Sequence, residues 1–280
     1  MILGAHLSIA GGLEQALIKA GRYGFEAVAL FLRNQRQWAA PPLSEQTVEV
    51  FRRLRRELNI RAVVAHGSYL LNLAGEGEVC RRSMDAMVDD LDRCRRLGIE
   101  DLVIHPGSCQ DEQVGLERIS RAVRELLERS ARPVRVVLET TAGQGSCVGW
   151  RFEHLAEMIR RSGGSARVGV CIDTAHIFAA GYDIRSAEAY EQTMTQFERI
   201  VGLERLRVVH VNDSTRELGS RVDRHAHIGR GRIGLGGFRC LVNDPRLARV
   251  PLILETPKGE DERGRDWDIV NARRLRRLRK

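Results

Sequence analysis

Short apolar runs alternate with longer amphipathic stretches along the whole chain. Eight runs have the length and the β-branched content of buried parallel strands, at residues 1–8, 26–32, 61–66, 101–105, 133–139, 167–173, 206–212 and 250–255. The segments between them repeat apolar residues at helical spacing, as at 44–60, 81–99, 117–131 and 153–163. Eight strand-then-helix units in 280 residues predict a closed (β/α)8 TIM barrel of the α/β class.

The length and the composition fit one domain. With 280 residues and 43% hydrophobic content the chain can bury one large core, and no flexible linker or internal repeat divides it. We therefore expect residues 1–280 to form a single catalytic TIM-barrel domain. The chain lacks a signal-peptide pattern at its N-terminus and a run of about 18 uninterrupted apolar residues, so we expect a cytoplasmic protein without a membrane partner.

The cysteines and the charge add two restrictions. Six cysteines form no CxxC pair, so the sequence indicates neither a disulfide framework nor a zinc–thiolate motif. The net charge is +8, and only three of the 45 basic residues are lysines, so arginine carries nearly all the positive charge. A forked guanidinium suits phosphate recognition, although genome composition or thermal adaptation produces the same bias. The charge permits a polyanionic partner without specifying one.

Imidazoles and carboxylates stand at the ends of six consecutive predicted strands. Including the loop after the seventh strand, the set comprises His66, His105, Glu139, Asp173, His176, His210, Asp223, His225 and Glu255. Any one of them could be a hydrogen-bonded structural residue. Together they predict a metal site, because the strand ends of this fold share one rim. Imidazole and carboxylate without thiolate suit Zn²⁺, with Mn²⁺ or Fe²⁺ as other possibilities.

Nine donors are too many for one tetrahedral ion. Three ions, each bound by three or four protein atoms with one bridging carboxylate, account for the number better. Four carboxylates do not neutralise three divalent ions, so such a centre would attract a phosphate and a hydroxide.

Several of these residues lie in longer stretches that resemble a known family. The chain contains GSYLLNLA (67–74), VIHPGS (103–108), LETTAGQGS (138–146), CIDTAHIFAAGYD (171–183), HVNDS (210–214), GSRVDRHAHIG (219–229) and LILETP (252–257). In order and spacing they resemble the motifs of the endonuclease IV family of apurinic/apyrimidinic endonucleases. NQRQW at 34–38 resembles the family's first DNA-recognition loop. The resemblance implies a TIM barrel with a trinuclear zinc centre, the fold that the strand pattern also predicts.

The resemblance also implies how the donors divide among three zinc ions. One ion would be held by His66, His105 and Glu139. Glu139 would bridge to a second ion, also bound by Asp173, His210 and Glu255. The third would take His176, Asp223 and His225. In an extended loop, residues two apart point the same way, so Asp223 and His225 can reach one ion while Arg224 points elsewhere.

The implied reaction is hydrolysis of the phosphodiester bond 5′ to an abasic site in duplex DNA, leaving a 3′-hydroxyl and a 5′-deoxyribose phosphate. Glu139 and Glu255 are the expected catalytic carboxylates, and Glu255 is expected to orient or deprotonate the nucleophile. The abasic nucleotide has to leave the base stack, and Arg36, Tyr69 and Leu70 are the expected DNA contacts. We expect a monomer in the bacterial cytosol, associated with nucleoid DNA.

Two other functions stay open. A sugar isomerase or epimerase of the xylose isomerase-like barrels would need one or two ions, and it leaves the Asp223–His225 group and NQRQW unexplained. A non-catalytic module that recognises damaged DNA would have closed structural zinc sites, whereas a barrel rim leaves open positions. His6 and His227 lie close to the donors in sequence or on the same rim. We interpret both as supporting residues rather than ligands.

Overall fold

The computed structural model describes residues 1–130 and 133–280. Its strands are β1 Ile2–His6, β2 Ala27–Phe31, β3 Ala62–His66, β4 Asp101–Ile104, β5 Arg135–Glu139, β6 Val168–Asp173, β7 Leu206–His210, β8 Asp213–Ser214, β9 His225–Ala226 and β10 Pro251–Leu254. Its α-helices are α1 Leu13–Arg22, α2 Glu45–Glu57, α3 Gly77–Leu97, α4 Glu112–Arg129, α5 Phe152–Arg161, α6 Thr174–Ala180, α7 Ala187–Ile200, α8 Gly234–Asn243 and α9 Trp267–Leu278. Within the described residues, none of these helices combines the length and the apolar content that a bilayer crossing requires.

The parallel strands close into the predicted barrel, in the order β1-β10-β7-β6-β5-β4-β3-β2. Each predicted apolar run contains one of these strands, shortened by at most two residues at either end. β4 ends before His105 because Pro106 follows, and a proline lacks the N–H that a continued strand ladder needs. The predicted helical pattern at 117–131 coincides with α4, and its last residue, Ala131, lies outside the described residues. The (β/α)8 prediction is confirmed.

Strand side chains alternate between two buried layers. Those that point outward pack against the helices, together with large helix side chains such as Phe51, Met87 and Phe152. Those that point inward form a separate core of Ile2, Ala27, Ala29, Val64, Val103, Val137, Cys171, Val208 and Ile253. Burial of each large aliphatic or aromatic side chain contributes roughly 1.5–3 kcal/mol, so both layers stabilise the strand register.

The inner core fixes where the rim side chains point. Side chains two residues apart on a strand share a face. Each inward-facing core residue of six strands is therefore followed, two positions later, by an inward-facing polar residue at the strand end. The pairs are Val64 with His66, Val103 with His105, Val137 with Glu139, Cys171 with Asp173, Val208 with His210, and Ile253 with Glu255.

Two local features bring the remaining donors to the same rim. β8 and β9 pair antiparallel, with Ser214 opposite His225, and this folds the loop after β7 back over the barrel. α6 begins directly after β6, because the Asp173 carboxylate caps it by accepting the backbone N–H groups of Ala175 and His176. The cap places His176 in the first turn of α6, beside the strand ends.

Candidate metal centre

All nine predicted donors meet at the carboxyl ends of the strands, around the Glu139 side chain. Glu139 is fully buried. Its Oε2 lies 3.1 Å from His66 Nε2 and 3.2 Å from His105 Nε2. Its Oε1 lies 2.9 Å from His210 Nδ1 and 3.5 Å from His176 Nδ1. One carboxylate thus faces four imidazoles, as expected of a residue that bridges metal ions.

The Asp223 carboxylate joins the last two histidines. Its Oδ2 lies 3.1 Å from His176 Nε2, and its Oδ1 lies 3.2 Å from His225 Nε2. Asp223 and His225 therefore converge across the intervening Arg224, whose side chain is exposed and donates to the Asp223 carbonyl oxygen. His225 Nε2 also lies 3.7 Å from Asp173 Oδ2, which connects this group to the strand ends.

Glu255 completes the set of donors, between His210 and His6. Its Oε2 lies 3.1 Å from His210 Nδ1, and its Oε1 accepts a hydrogen bond from His6 Nδ1 at 2.7 Å. Burial lowers the pKa of His6, so its neutral ring donates through Nδ1 and orients the carboxylate. His6 thus contacts a donor residue, in agreement with the supporting role that the sequence suggests. His227 instead stacks on Trp267, away from the donors.

Backbone carbonyl groups fix the orientation of three imidazoles. Nδ1 of His66, His176 and His225 lies 2.7, 2.8 and 3.1 Å from a carbonyl oxygen. A carbonyl oxygen only accepts hydrogen bonds, so Nδ1 carries the proton and Nε2 of the neutral ring carries a lone pair. These Nε2 atoms face carboxylate oxygens of Glu139 or Asp223 at 3.1 to 3.2 Å. A lone pair facing a carboxylate requires a cation between them, which is either a proton or a metal ion.

The ionisation of these groups follows the same arrangement. Burial alone would raise the pKa of Glu139, but the facing His210 and His105 imidazoles lower it well below its ordinary value. Burial alone would lower the pKa of His176, but the carboxylates of Asp173 and Asp223 raise it well above its ordinary value. The centre therefore favours ionised carboxylates together with positive charge beside them. A divalent cation would supply that positive charge.

One buried nitrogen atom that faces the donors further supports a metal centre. Within the residues that the structure describes, Nε2 of His225 has no hydrogen-bond partner, while its Nδ1 lies 3.1 Å from the Glu255 carbonyl oxygen. The approach of His225 Nε2 to Asp223 is close but not aligned for a hydrogen bond. Buried polar atoms are normally paired, and metal-binding histidines normally use their second nitrogen on a backbone or carboxylate partner. The donor set consists of nitrogen and oxygen atoms alone and fits a borderline divalent ion such as Zn²⁺.

The donors form overlapping groups. Glu139, Asp173, His210 and Glu255 each place a ligand atom within 4.8 Å of the others, and these are the residues that the sequence assigned to the second ion. Three further groups of the same tightness are His66 with Glu139 and His210, His105 with Glu139 and His176, and Asp173 with His176 and His225. Glu139, Asp173, His176 and His210 belong to more than one group, so eight of the nine donors form one connected set. Asp223 joins this set through His176 and His225.

The predicted DNA-contact residues lie beside this centre. Tyr69 is 60% exposed, and its ring packs against Phe31, His66 and His105 with centroid distances of 5.5 to 5.8 Å. Leu70 is half-buried next to it, and Arg36 is exposed in the loop after β2. The two loops are joined, because Ser68 Oγ donates to the Gln35 carbonyl oxygen at 2.7 Å.

A buried ion-pair network anchors the loop that carries Arg36. Arg33 donates to Asp90 Oδ1 through Nε and Nη2, at 3.0 and 2.7 Å, and to the Trp38 carbonyl oxygen through Nη1. Arg93 donates to the Pro41 carbonyl oxygen at 2.6 Å. The guanidinium groups of Arg33 and Arg93 thus fix the backbone at Trp38 and Pro41, which follow Arg36 in the loop.

A cleft of about 760 Å³ opens between Tyr69 and Glu255. It is lined by residues of β1, the loop after β2 and the loop after β10, among them His6, Ser8, Phe31, Asn34 and Lys258. Lys258 Nζ bonds both carboxylate oxygens of Asp268, at 2.8 and 3.0 Å. The cleft therefore combines apolar walls with two cations, Arg33 and Lys258, each paired with an aspartate.

Several residues that position the donors carry no recognisable signal in the sequence. Asn212 donates to Asp173 Oδ2 at 2.7 Å and accepts the Glu255 backbone N–H at 3.0 Å. Gln144 Oε1 accepts the Asp223 backbone N–H at 3.0 Å. Both lie inside the family-like stretches, but their partners are far away along the chain, so spacing could not reveal the contacts.

Comparison with known proteins agrees with this geometry. A family model described as xylose isomerase-like TIM barrel matches residues 17–276. The chain is 46% identical to "Probable endonuclease 4" of Chloroflexus aggregans over 279 residues, which cover 98% of both chains. It superposes on the crystal structure of endonuclease IV from Thermus thermophilus with a TM-score of 0.89 and 40% identity, covering 99% of this chain and 98% of that one.

More distant barrels share only the architecture. The crystal structure of a D-tagatose 3-epimerase-like protein has a TM-score of 0.74 with 19% identity, and the match covers 99% of this chain and 97% of that one. At this identity the similarity establishes the fold alone. The relatives at 40% identity and above are endonucleases by name. The chain belongs to the endonuclease IV family of the xylose isomerase-like TIM barrels.

Proposed function

We propose that this chain is an apurinic/apyrimidinic endonuclease that hydrolyses the phosphodiester bond 5′ to an abasic site in duplex DNA. The observation that supports this most is the convergence of nine nitrogen and oxygen donors at the barrel rim, with Glu139 facing four imidazoles. A single structural ion does not require so many donors. A centre that holds several ions suits the binding of a phosphate. The endonuclease names of the relatives indicate the same class of reaction.

Three zinc ions would be held by the sets that the family resemblance implies. His66, His105 and Glu139 would hold the first, and His176, Asp223 and His225 the third. The second would lie among Glu139, Asp173, His210 and Glu255, which form a group of four donors whose ligand atoms lie within 4.8 Å of one another. When bound, zinc polarises phosphoryl oxygens and lowers the pKa of water towards neutrality.

Glu255 is the residue best placed to act on the attacking water. It lies at the boundary between the donors and the cleft, and His6 holds its Oε1. We propose that the Glu255 carboxylate orients the water and accepts its proton as oxygen attacks phosphorus. The bond between phosphorus and the 3′ oxygen of the preceding nucleotide then breaks, and that oxygen takes a proton from solvent water and leaves as the 3′-hydroxyl. The 5′-deoxyribose phosphate remains on the other side of the break.

The cleft between Tyr69 and Glu255 would receive the abasic nucleotide. Its volume of about 760 Å³ suits a sugar phosphate turned out of the helix. The exposed Tyr69 ring and the adjacent Leu70 would fill the space left in the duplex, and Arg36 would contact the DNA from the anchored loop. An intact base is larger than a bare sugar, so the cleft walls would favour abasic nucleotides.

A sugar epimerase remains the second candidate because the epimerase-like barrels share the architecture. The group of Asp223 with His176 and His225 argues against it, since one or two ions at the strand ends suffice for that chemistry. Incubation with ketohexoses separates the candidates, because an epimerase would interconvert them and an endonuclease would not.

The direct test is incubation of a duplex that carries one abasic analogue, with and without prolonged chelation. Mapping of the product termini should give a single break 5′ to the analogue, with a 3′-hydroxyl and a 5′-phosphate. Chelation should abolish the break, and added zinc should restore it. An intact duplex, or a break 3′ to the analogue, would exclude the proposed reaction.

A further inference from the structure

A pair of arginines outside the donor set shares one tryptophan. Arg230 follows β9 in the segment 229–233, and Arg274 lies on α9. The guanidinium carbon of Arg230 is 4.6 Å from the centroid of the Trp267 ring, and that of Arg274 is 5.7 Å away. A guanidinium that packs flat on an aromatic ring keeps its edge N–H groups available for an anion.

Neither arginine has an acidic partner in the described part of the chain. No carboxylate lies within ion-pair distance of Arg230 or Arg274 there, and Arg274 uses one nitrogen on the Ile228 carbonyl oxygen at 2.8 Å. Burial and the neighbouring Arg230 charge lower the pKa of Arg274. By contrast Arg232, two residues further along, pairs with Glu217 at 3.0 Å. Within the described residues the two arginines over Trp267 thus form no ion pair, and Asp261, whose charge also acts on Arg274, is itself paired with Arg265.

The backbone that presents Arg230 is held in place by a buried carboxylate. The Asp213 side chain accepts backbone N–H groups of Gly229, Gly231 and Ile233 at 2.9 to 3.0 Å. A Cβ at Gly231 would lie 2.4 Å from Asp213 Oδ1, so only glycine permits this close approach. Stacking of His227 on Trp267 at 3.7 Å ties the same segment to α9. Arg230 is thus presented from a preorganised loop, which lowers the entropy cost of binding.

The arginine pair lies on the same side of the molecule as the metal centre. The segment with Arg230 continues directly from His225, whose Nδ1 donates to the Glu255 carbonyl oxygen at 3.1 Å. Five residues span at most on the order of 17 Å, so Arg230 stays within a few nucleotides of a phosphate bound at the centre.

We propose that Arg230, packed on Trp267 with Arg274 beside it, binds a backbone phosphate of duplex DNA a few nucleotides away from the abasic site. The inference rests on the proposed endonuclease function and adds a contact outside the centre and the cleft. Contacts of this kind fix the position of a protein on DNA without reading its sequence. They also make binding dependent on salt, because counterions are released from the phosphates.

The test compares Arg230→Ala with Arg232→Ala, a matched exposed arginine in the same segment. Incision of a long duplex with one abasic analogue is measured over a range of salt concentrations. Arg230→Ala should raise KM about three- to tenfold at low salt, leave kcat unchanged and reduce the salt slope of log KM by about one. Arg232→Ala should match the unsubstituted protein. Arg230→Lys should restore part of the effect, since lysine keeps the charge but loses the planar fork.

A series of shorter duplexes locates the contact. Trimming the DNA on one side of the abasic site should remove the difference between Arg230→Ala and the unsubstituted protein once the contacted phosphate is gone. A difference that persists on the shortest duplex, or equal effects of Arg230→Ala and Arg232→Ala, would overturn the inference. Normal incision and an unchanged salt slope in Arg230→Ala would overturn it while leaving the proposed function intact. Absence of incision by the unsubstituted protein would overturn the proposed function and this inference together.

Discussion

Asn212 donates a side-chain N–H to Asp173 Oδ2 at 2.7 Å, and both residues are fully buried. The same Asn212 side chain accepts the Glu255 backbone N–H through Oδ1. One amide therefore sets the relative position of two proposed ligands on β6 and after β10. Groups that orient metal ligands contribute to metal affinity although they do not touch the ion.

Replacement of Asn212 by alanine should weaken metal binding. Loss of the donor leaves Asp173 with one unpaired oxygen and removes the link to Glu255. We expect zinc affinity to fall about 10- to 100-fold and stability to fall by about 1.5–3 kcal/mol. Competition with a chelator and urea unfolding measure the two effects. Asn243→Ala is the matched control, because that amide bonds the Arg239 and Leu278 carbonyl oxygens away from the centre. Equal zinc affinities for the two variants would exclude the positioning role.

Replacement of Glu255 by glutamine separates a catalytic role from a purely structural one. The amide keeps the size of the side chain and can still face His6 and His210, but it cannot accept a proton. We expect kcat to fall about 10²- to 10⁴-fold. Metal analysis of the same sample shows whether a lower kcat results from loss of zinc or from loss of the carboxylate. A variant with full metal content and full rate would show that Glu255 neither orients nor deprotonates the nucleophile.

Arg36→Ala and Tyr69→Ala should weaken binding to abasic duplex while leaving zinc content intact. Neither side chain is needed to fold the centre, since Arg36 is exposed and Tyr69 is 60% exposed. We expect losses of about tenfold in affinity for each, measured by fluorescence anisotropy with a labelled duplex. Arg53→Ala, which removes an exposed arginine from α2, serves as the control. Loss of zinc from either test variant would refute a direct role in DNA contact.

The Arg33–Asp90 pair gives a prediction for pH. Asp90 is 1% exposed, and burial raises the pKa of its carboxyl to about 6 even though Arg33 opposes the shift. The folded chain thus keeps this proton up to about pH 6, whereas the unfolded chain releases it near pH 4. Between these pH values the native state binds more protons, so stability falls as pH rises.

Comparison with Asp90→Asn isolates this contribution, because asparagine does not titrate. The stability advantage of the unsubstituted protein over the variant should shrink by on the order of 3 kcal/mol between about pH 4 and pH 6.5. Urea unfolding at a series of pH values measures it. An advantage that grows over this range would mean that the Arg33 charge, and not burial, dominates the pKa of Asp90.

The sequence was sufficient to predict the barrel and the convergence of nine imidazole and carboxylate side chains at its rim. Parallel strands are buried on both faces, so their sequences are continuous apolar runs. A run ends at the first polar residue whose side chain points into the barrel, as Glu139 does two positions after Val137. The prediction was least accurate at the strand ends. Residues 7 and 8 were assigned to the first strand, but β1 ends at His6 and the chain turns into Gly11 and Gly12.

What the sequence could not supply are contacts between distant segments. The anchor between Arg33 and Asp90 joins residues separated by 57 positions, and the bond from Asn212 to Asp173 spans 39. No local propensity encodes these pairs, because each joins a loop to a helix or strand that the barrel has already placed. The segment held by Asp213 is another case, since its three backbone hydrogen bonds depend on how the chain folds back from β9 to β8.

The central claim is that the nine donors around Glu139 hold three zinc ions together. Anomalous diffraction from crystals of the purified protein, collected at the zinc absorption edge, tests it most directly because it gives both the number and the position of the ions. We expect three peaks at the barrel rim, each about 2.0–2.2 Å from its nitrogen and oxygen ligands. A single peak, or peaks remote from Glu139, Asp173 and Asp223, would contradict it.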